Sequence, residues 1–177
     1  AGVEIRSGWR CLGADFESDR LAFEDAGGRL EQWPLGPTIA ADGAGSVLRQ
    51  ALARLPGHAS REELLPHGYK ELSIPPADGG GHRMEPQALH IWPRGGFMLI
   101  ALPNPGGDFT LTLFLPNEGR ESFASLGSEA AVEAFFCRYF ADVVPLIPGL
   151  VESFLTNPVG ILGTVRCDGW HEGGRLL

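Results

Sequence analysis

Between Thr38 and Arg49 the chain reads TIAADGAGSVLR, which sets a carboxylate, a tight turn and a helix start in one short span. Pro37 to Ala41 is a run of small and apolar residues of the buried-strand type. Asp42 follows it, Gly43 permits the turn, Ser46 can cap a helix, and Arg49 lies one turn into that helix. Ligands in open α/β sheets bind at such strand ends. A helix N-terminus favours phosphate, and Asp42 can accept from sugar hydroxyls or backbone donors. Arg49 can pair with phosphate or with Asp42. The same spacing suits a plain strand–turn–helix connection in which Asp42 only holds the turn, and on spacing alone that is the simpler reading.

A second constellation offers a surface instead of a charge. Residues 98–102 (MLIAL) and 109–116 (FTLTLFLP) alternate with period two, the strand signal, and the PNPGGD linker between them is hairpin chemistry. Met98, Ile100 and Leu102 share one parity, as do Thr112 and Phe114. With Leu89, these side chains can form a flat apolar wall for an aryl group, to which Thr112 adds a hydroxyl. On pattern alone an ordinary core face explains them equally well. Both faces of the hairpin are apolar, so helices, a partner domain or a ligand must cover the second.

Other candidates carry less. The five histidines are scattered, and no His/Asp/Glu ligand cluster is visible. Cys11, Cys137 and Cys167 are odd in number and lack CxxC spacing, which argues against a disulfide framework or zinc site and fits a reducing, cytoplasmic setting. No GxSxG elbow is present. Trp92 and Arg94, either side of Pro93, are placed to stack or to pack. The glycines of PPADGGGH lack a leading strand and a following helix, so they read as a loop and not a phosphate cradle. A net charge of −8 disfavours nucleic acid and anionic membrane, and no apolar run approaches the ~18 residues of a membrane helix.

The elements that must position these residues follow from the same patterns. Gly2 to Ile5 reads as strand-like, Ile5 to Asp15 and Leu21 to Glu24 as strands about the turn ESDR, and AGGRLEQW as a turn and strand. Val47, Leu48, Ala51 and Leu52 fall at helical spacing, and Pro56-Gly57 ends that helix. From Ser128, a possible cap, Val132, Phe135, Phe136 and Tyr139 form a helical stripe of core type, with Phe140 beside it, ending near Asp142. Gly163 to Cys167 reads as a strand, Asp168 to Gly174 as a turn, and Arg175 onward as another strand. Both ends of the chain read as internal to a longer enzyme. The fold expected is α+β: a mixed, mostly antiparallel sheet backed by helices.

Three strings carry a family resemblance: HGYKELSIPP at 67–76, LHIWPRGGFMLIALPN at 89–104 and FTLTLFLP at 109–116. They resemble the substrate-domain sheet of the kynurenine 3-monooxygenase family of flavin-dependent aromatic hydroxylases. TIAADGAGSVLR resembles that group's DG motif. The resemblance implies a partial FAD-binding domain over 1–57, a substrate-binding sheet with a covering helix over 58–160, and return strands over 161–177, so that both ends are remnants of an FAD/NAD(P)-binding α/β domain. It implies cofactor-proximal roles for Asp42, Gly43, Ser46 and Arg49, and a place by the flavin adenine for Leu12. It implies that Leu89, Met98, Ile100, Leu102, Thr112 and Phe114 line the substrate ring. The activity implied is NADPH-dependent hydroxylation of L-kynurenine to 3-hydroxykynurenine by a C4a-hydroperoxyflavin, with FAD as cofactor and no metal. The alternatives are a non-catalytic binding module and a hydroxylase of another aromatic acid. Exposed sheet edges invite self-association.

The sequence holds no GxGxxG fingerprint and no GDA motif, which the resemblance makes the main FAD contacts. Titrated with FAD at about micromolar concentration, this polypeptide should leave the visible flavin spectrum unchanged and should not hydroxylate kynurenine. A perturbed spectrum at that concentration refutes the expectation.

Overall fold

The computed structural model describes residues 2–176. Its contacts divide the chain into two compact units, residues 1–63 with 164–177 and residues 64–163. Strands β4 (Ser60–Ile74) and β8 (Gly160–Cys167), the two long strands that flank the second unit in sequence, carry the chain across that division.

The first unit opens with a three-stranded antiparallel sheet of β1 (Trp9–Asp15), β2 (Arg20–Asp25) and β3 (Leu30–Pro34), in the order β1-β2-β3. Its one irregularity lies between Cys11 and Gly13, where the register with β2 shifts and Leu12 is left without a partner: a β-bulge. Trp9, Phe23 and Trp33 gather on one face, with ring centroids 5.6 Å (Trp9–Trp33) and 4.2 Å (Phe23–Trp33) apart. Helix α1 (Val47–Leu52) follows. Gly2 to Ile5 forms no strand, and Val3 and Ile5 are exposed. Pro37 to Ala41 is not a buried strand either. It carries a lone bridge at Ile39, which is 76% exposed. A short apolar run becomes a buried strand only when neighbours pair along both its edges, and no such ladder forms here among the described residues.

The C-terminal return of this unit is pinned by His58. Its Nδ1 lies 3.1 Å from the Pro56 carbonyl oxygen and its Nε2 lies 3.0 Å from that of His171, at the start of β9 (His171–Glu172). A Cβ at Gly169 would meet the imidazole at 2.5 Å, so glycine there lets the ring lie flat against the chain. Strand β10 (Arg175–Leu176) pairs antiparallel with β9, which fits the expected strand from Arg175 onward, although Leu177 lies outside the described residues.

The second unit is built on the sheet β5-β6-β7-β4-β8, with β5 (His90–Pro93), β6 (Met98–Pro103) and β7 (Phe109–Pro116). The β5–β6, β6–β7 and β7–β4 pairs are all antiparallel. Alternation decides its two faces. Leu99, Ala101, Phe109, Leu111, Leu113 and Leu115 are wholly buried. They pack against Val132, Phe136 and Phe140 of helix α2 (Glu129–Tyr139) and its C-terminal cap, and against Phe154 of helix α3 (Leu150–Thr156). Each such side chain contributes roughly 1.5–3 kcal/mol when taken from water. Ser128 caps α2 by accepting from the Ala131 amide at 3.3 Å, and Glu129 sits in its first turn. The helix ends at Tyr139, three residues before the end expected near Asp142.

Two cations lock helix ends to the sheet. Lys70 is buried on the inner face of β4, where its Nζ donates to the Phe154 carbonyl and, at 2.7 Å, to that of Asn157, at the C-terminus of α3. Burial pushes its ammonium below the ordinary lysine range. Arg94 donates from Nε to the Tyr139 carbonyl at 2.7 Å, at the C-terminus of α2. Trp92 donates to Asp142 at 2.7 Å, so Trp92 and Arg94 hold the helix end and do not stack on each other.

A neutral imidazole has one N–H, and only the imidazolium can donate to both carbonyls at His58. These carbonyls, with Glu172 3.5 Å from Nε2, raise its pKa above the ordinary 6.5. The stabilisation is therefore complete below 6.5 and is lost as pH rises through the folded-state value. Urea denaturation should show the parent losing stability relative to His58→Gln between about pH 5.5 and pH 8.5; parallel curves would contradict this.

Candidate functional site

The open face of the sheet is a ranked surface. Register aligns Met98, Phe114 and Tyr69 in one row across β6, β7 and β4. The next row is Ile91, Ile100, Thr112 and Glu71, from β5 to β4, and a third is Leu102, Thr110 and Ser73. Met98, Ile100, Leu102, Thr112 and Phe114 therefore share one side, opposite the fully buried Leu99 and Leu113. Leu89 precedes β5 and lies outside the printed register, but it too is exposed, at 51%. The face grades from aliphatic on β5 and β6 to polar on β4.

Four large aliphatic side chains of this stretch, Leu89, Ile91, Met98 and Leu102, are each more than a third exposed. Such a contiguous apolar patch marks a surface that something covers. Its polar border came from β4. Tyr69, Glu71 and Ser73 alternate with the inward Gly68, Lys70, Leu72 and Ile74. The period-two signal was present in HGYKELSIPP, but a lysine in the inward register disguises it. Tyr69 is held in place from two sides. Its ring lies 6.4 Å from that of Phe114, and a Cβ on Gly160 would overlap its ring carbons.

The Asp42 turn belongs to the first unit. Asp42 Oδ2 accepts from the Val47 amide at 3.2 Å, at the start of α1. Gly43 has φ +79°, the left-handed conformation that glycine adopts without strain, and its carbonyl accepts from the Ser46 amide at 3.0 Å. Ser46 Oγ accepts from the Arg49 amide at 3.0 Å. Arg49 turns inward and is buried. It donates to Ser60 Oγ and Glu62 Oε1, each at 2.6 Å, and to the Ala44 carbonyl. It therefore pairs with Glu62 and not with Asp42, while its Nε is buried without a partner.

The structure brings the turn and the bulge together. Burial raises the pKa of the Cys11 thiol, the Gly13 backbone opposes that, and the nearby charge of Asp42 adds to the rise. Leu12, next to Cys11, is 42% exposed with its backbone outside the ladder. The side chains of Asp42, Ser46 and Arg49 are occupied in holding the turn and helix. What this region offers a ligand is mainly backbone, at the Gly43 turn and the Leu12 bulge. Among the described residues no group of three or more His, Cys, Asp or Glu is arranged to hold a metal, and no helix is long and apolar enough to cross a membrane.

No family model matches the chain. Curated relatives do. It is 49% identical over 176 residues to a kynurenine 3-monooxygenase of Myxococcus xanthus, covering 99% of this chain and 38% of the relative. It is 47% identical over 178 residues to one of Xanthomonas axonopodis pv. citri, covering 100% of this chain and 39% of that protein. The chain thus spans about two fifths of the length of the relatives it matches. Among solved structures it superposes on 2-methyl-3-hydroxypyridine-5-carboxylic acid oxygenase with a TM-score of 0.68 at 20% identity, over 99% of this chain and 44% of that one. A tetracycline destructase, Tet(51), follows at 0.53 and 12%, over 95% and 43%. These likenesses establish the fold.

The two faces should respond differently to truncation. Leu113→Ala on the inner face should cost about 2–5 kcal/mol. Ile100→Ala on the open face should cost clearly less, because water already reaches part of that side chain. Urea denaturation midpoints measure both, and equal losses would show the outer face to be core.

Proposed function

We propose, for a chain that belongs by sequence to the kynurenine 3-monooxygenase family, that its five-stranded sheet forms one wall of the site where a flavin-dependent monooxygenase converts L-kynurenine to 3-hydroxykynurenine. The observation that carries this reading is the outer face of β6 and β7. Its apolar side chains stay partly exposed although the inner face is fully packed. FAD, reduced by NADPH as co-substrate, would supply the activated oxygen for ring hydroxylation.

The residues of this chain act by shape and dryness. Met98, Ile100, Leu102 and Phe114, with Leu89 at the border, bind the flat ring and exclude water from it. Thr112 adds a hydroxyl for a polar ring substituent. Leu12, Asp42, Gly43, Ser46 and Arg49 form the cofactor-proximal region. There the backbone of the Gly43 turn and the Leu12 bulge would face the cofactor, while Asp42, Ser46 and Arg49 hold that backbone in shape. The free thiols of Cys11, Cys137 and Cys167 support a reducing, cytoplasmic setting. The outer edge of β5, the last strand in its sheet, supports self-association.

Thermal shift on this polypeptide tests the wall. L-kynurenine should raise the melting temperature in proportion to the logarithm of its concentration, and a non-aromatic amino acid should not. Phe114→Ala should remove the response, read against that variant's own unliganded melt. A parent that ignores kynurenine at every concentration would leave the sheet a structural element only.

A further inference from the structure

The helices that cover the inner face of the sheet carry a groove of their own, within the second unit. A cavity of about 620 Å³ lies between α2 and α3, with Val144, Val151 and Leu155 in its aliphatic lining and Glu129, Glu133 and Glu152 in its polar lining. We propose that this groove docks a basic amphipathic helix of a partner protein, whose apolar ridge enters the cavity and whose Lys or Arg side chains meet the three carboxylates. The sheet stands between this groove and the ring-binding wall, so the two surfaces are independent.

Helix α2 carries two sets of side chains. Val132, Phe135 and Phe136 are buried against the sheet, whereas Glu129, Glu133 and Cys137 recur every fourth residue and are exposed. Helix α3 divides in the same way. Leu150 and Phe154 are buried in the core, and Glu152 and Leu155 stay open, Leu155 at 40% exposure. Packing the core therefore leaves an apolar cleft between the two helices. Such a cleft is the receptor half of helix-in-groove recognition.

Charge selects the occupant. Among the described residues none of Glu129, Glu133 and Glu152 pairs with a cation. Arg138 does not line the groove, and its guanidinium lies 5.0 Å from the centroid of the Tyr139 ring. Three like charges around one cleft repel an acidic segment and attract a basic one. A net charge of −8 disfavours a second copy of this chain as the occupant. A helix with Leu at i, i+3 and i+4 toward the cleft and Lys on its flanks satisfies both kinds of lining. Glu129 and Glu133, one turn apart on α2, would meet lysines one turn apart on one flank, and Glu152 on α3 would meet the other flank.

The probe is a synthetic amphipathic peptide with Leu on one face and Lys on the other, fluorescently labelled and titrated with this polypeptide at about 0.15 M salt. Its anisotropy should rise to saturation; a parent that does not bind it overturns the proposal. Replacing Glu129, Glu133 and Glu152 together by Gln should weaken the peptide about tenfold, the scale of three exposed ion pairs. Replacing Glu17, Glu63 and Glu118 together by Gln removes the same charge from other exposed positions and should weaken it less than about twofold. Equal losses in the two triple variants leave only a long-range charge effect and overturn the groove. Leu155→Ala should weaken the peptide about threefold, by removing part of the apolar lining; unchanged binding leaves an acidic patch and overturns the docked helix. A peptide with Glu in place of Lys, offered to the unaltered parent, should not bind, and equal binding overturns the charge argument without relying on any variant's folding. Sedimentation that finds a parent dimer dissolved by Leu155→Ala assigns the groove to a second copy and overturns the proposal.

Discussion

The inner face of the β6–β7 hairpin governs the rest of the second unit. Six side chains on it reach zero exposure against α2 and α3. Because a strand alternates, sealing one face commits every second residue to the other. The outer residues cannot be recruited to the core without a one-residue slip that would expose Leu111 and Leu113. The open apolar wall is a forced consequence of how well the opposite side is packed, and the helix caps that fix α2 and α3 indirectly fix the wall.

Polar anchoring completes that packing. Lys70 and Arg94 each reach the carbonyl end of a helix, where backbone oxygens lack partners. Lys70 is buried and Arg94 half-buried, and both are satisfied by geometry that exists only in the folded unit. They set where α2 and α3 end over the sheet, a matter that apolar contacts alone leave loose.

Much of this was legible in the sequence because it rests on local periodicity. The alternation of FTLTLFLP and MLIAL gives the hairpin and both faces, and Ser128 with the Phe-rich stripe gives α2. The family likeness of HGYKELSIPP marked β4, but its outward Tyr69 and Glu71 were hidden by a lysine at an inward position, which looks solvent-facing until a helix end is known to lie beneath it. Pro37 to Ala41 misled for the opposite reason. Its composition is that of a buried strand, yet burial depends on neighbours far along the chain or outside it. At Arg49 the sequence showed a cation near a turn, while its partners, Ser60 and Glu62, come from the next strand. Residue type alone does not tell an inward guanidinium from an outward one.

Gly160 shows how little material fixes the pose of a neighbouring ring. Its single hydrogen leaves room for the Tyr69 ring to recline across the neighbouring strand, and the tilt of that phenol decides how much of the shelf is hydrocarbon and how much is alcove. One methyl group on the backbone of β8 would swing the partition toward Phe114 and redraw the floor. The contour of the outer face beside Tyr69 therefore depends on the absence of a side chain in the adjoining strand.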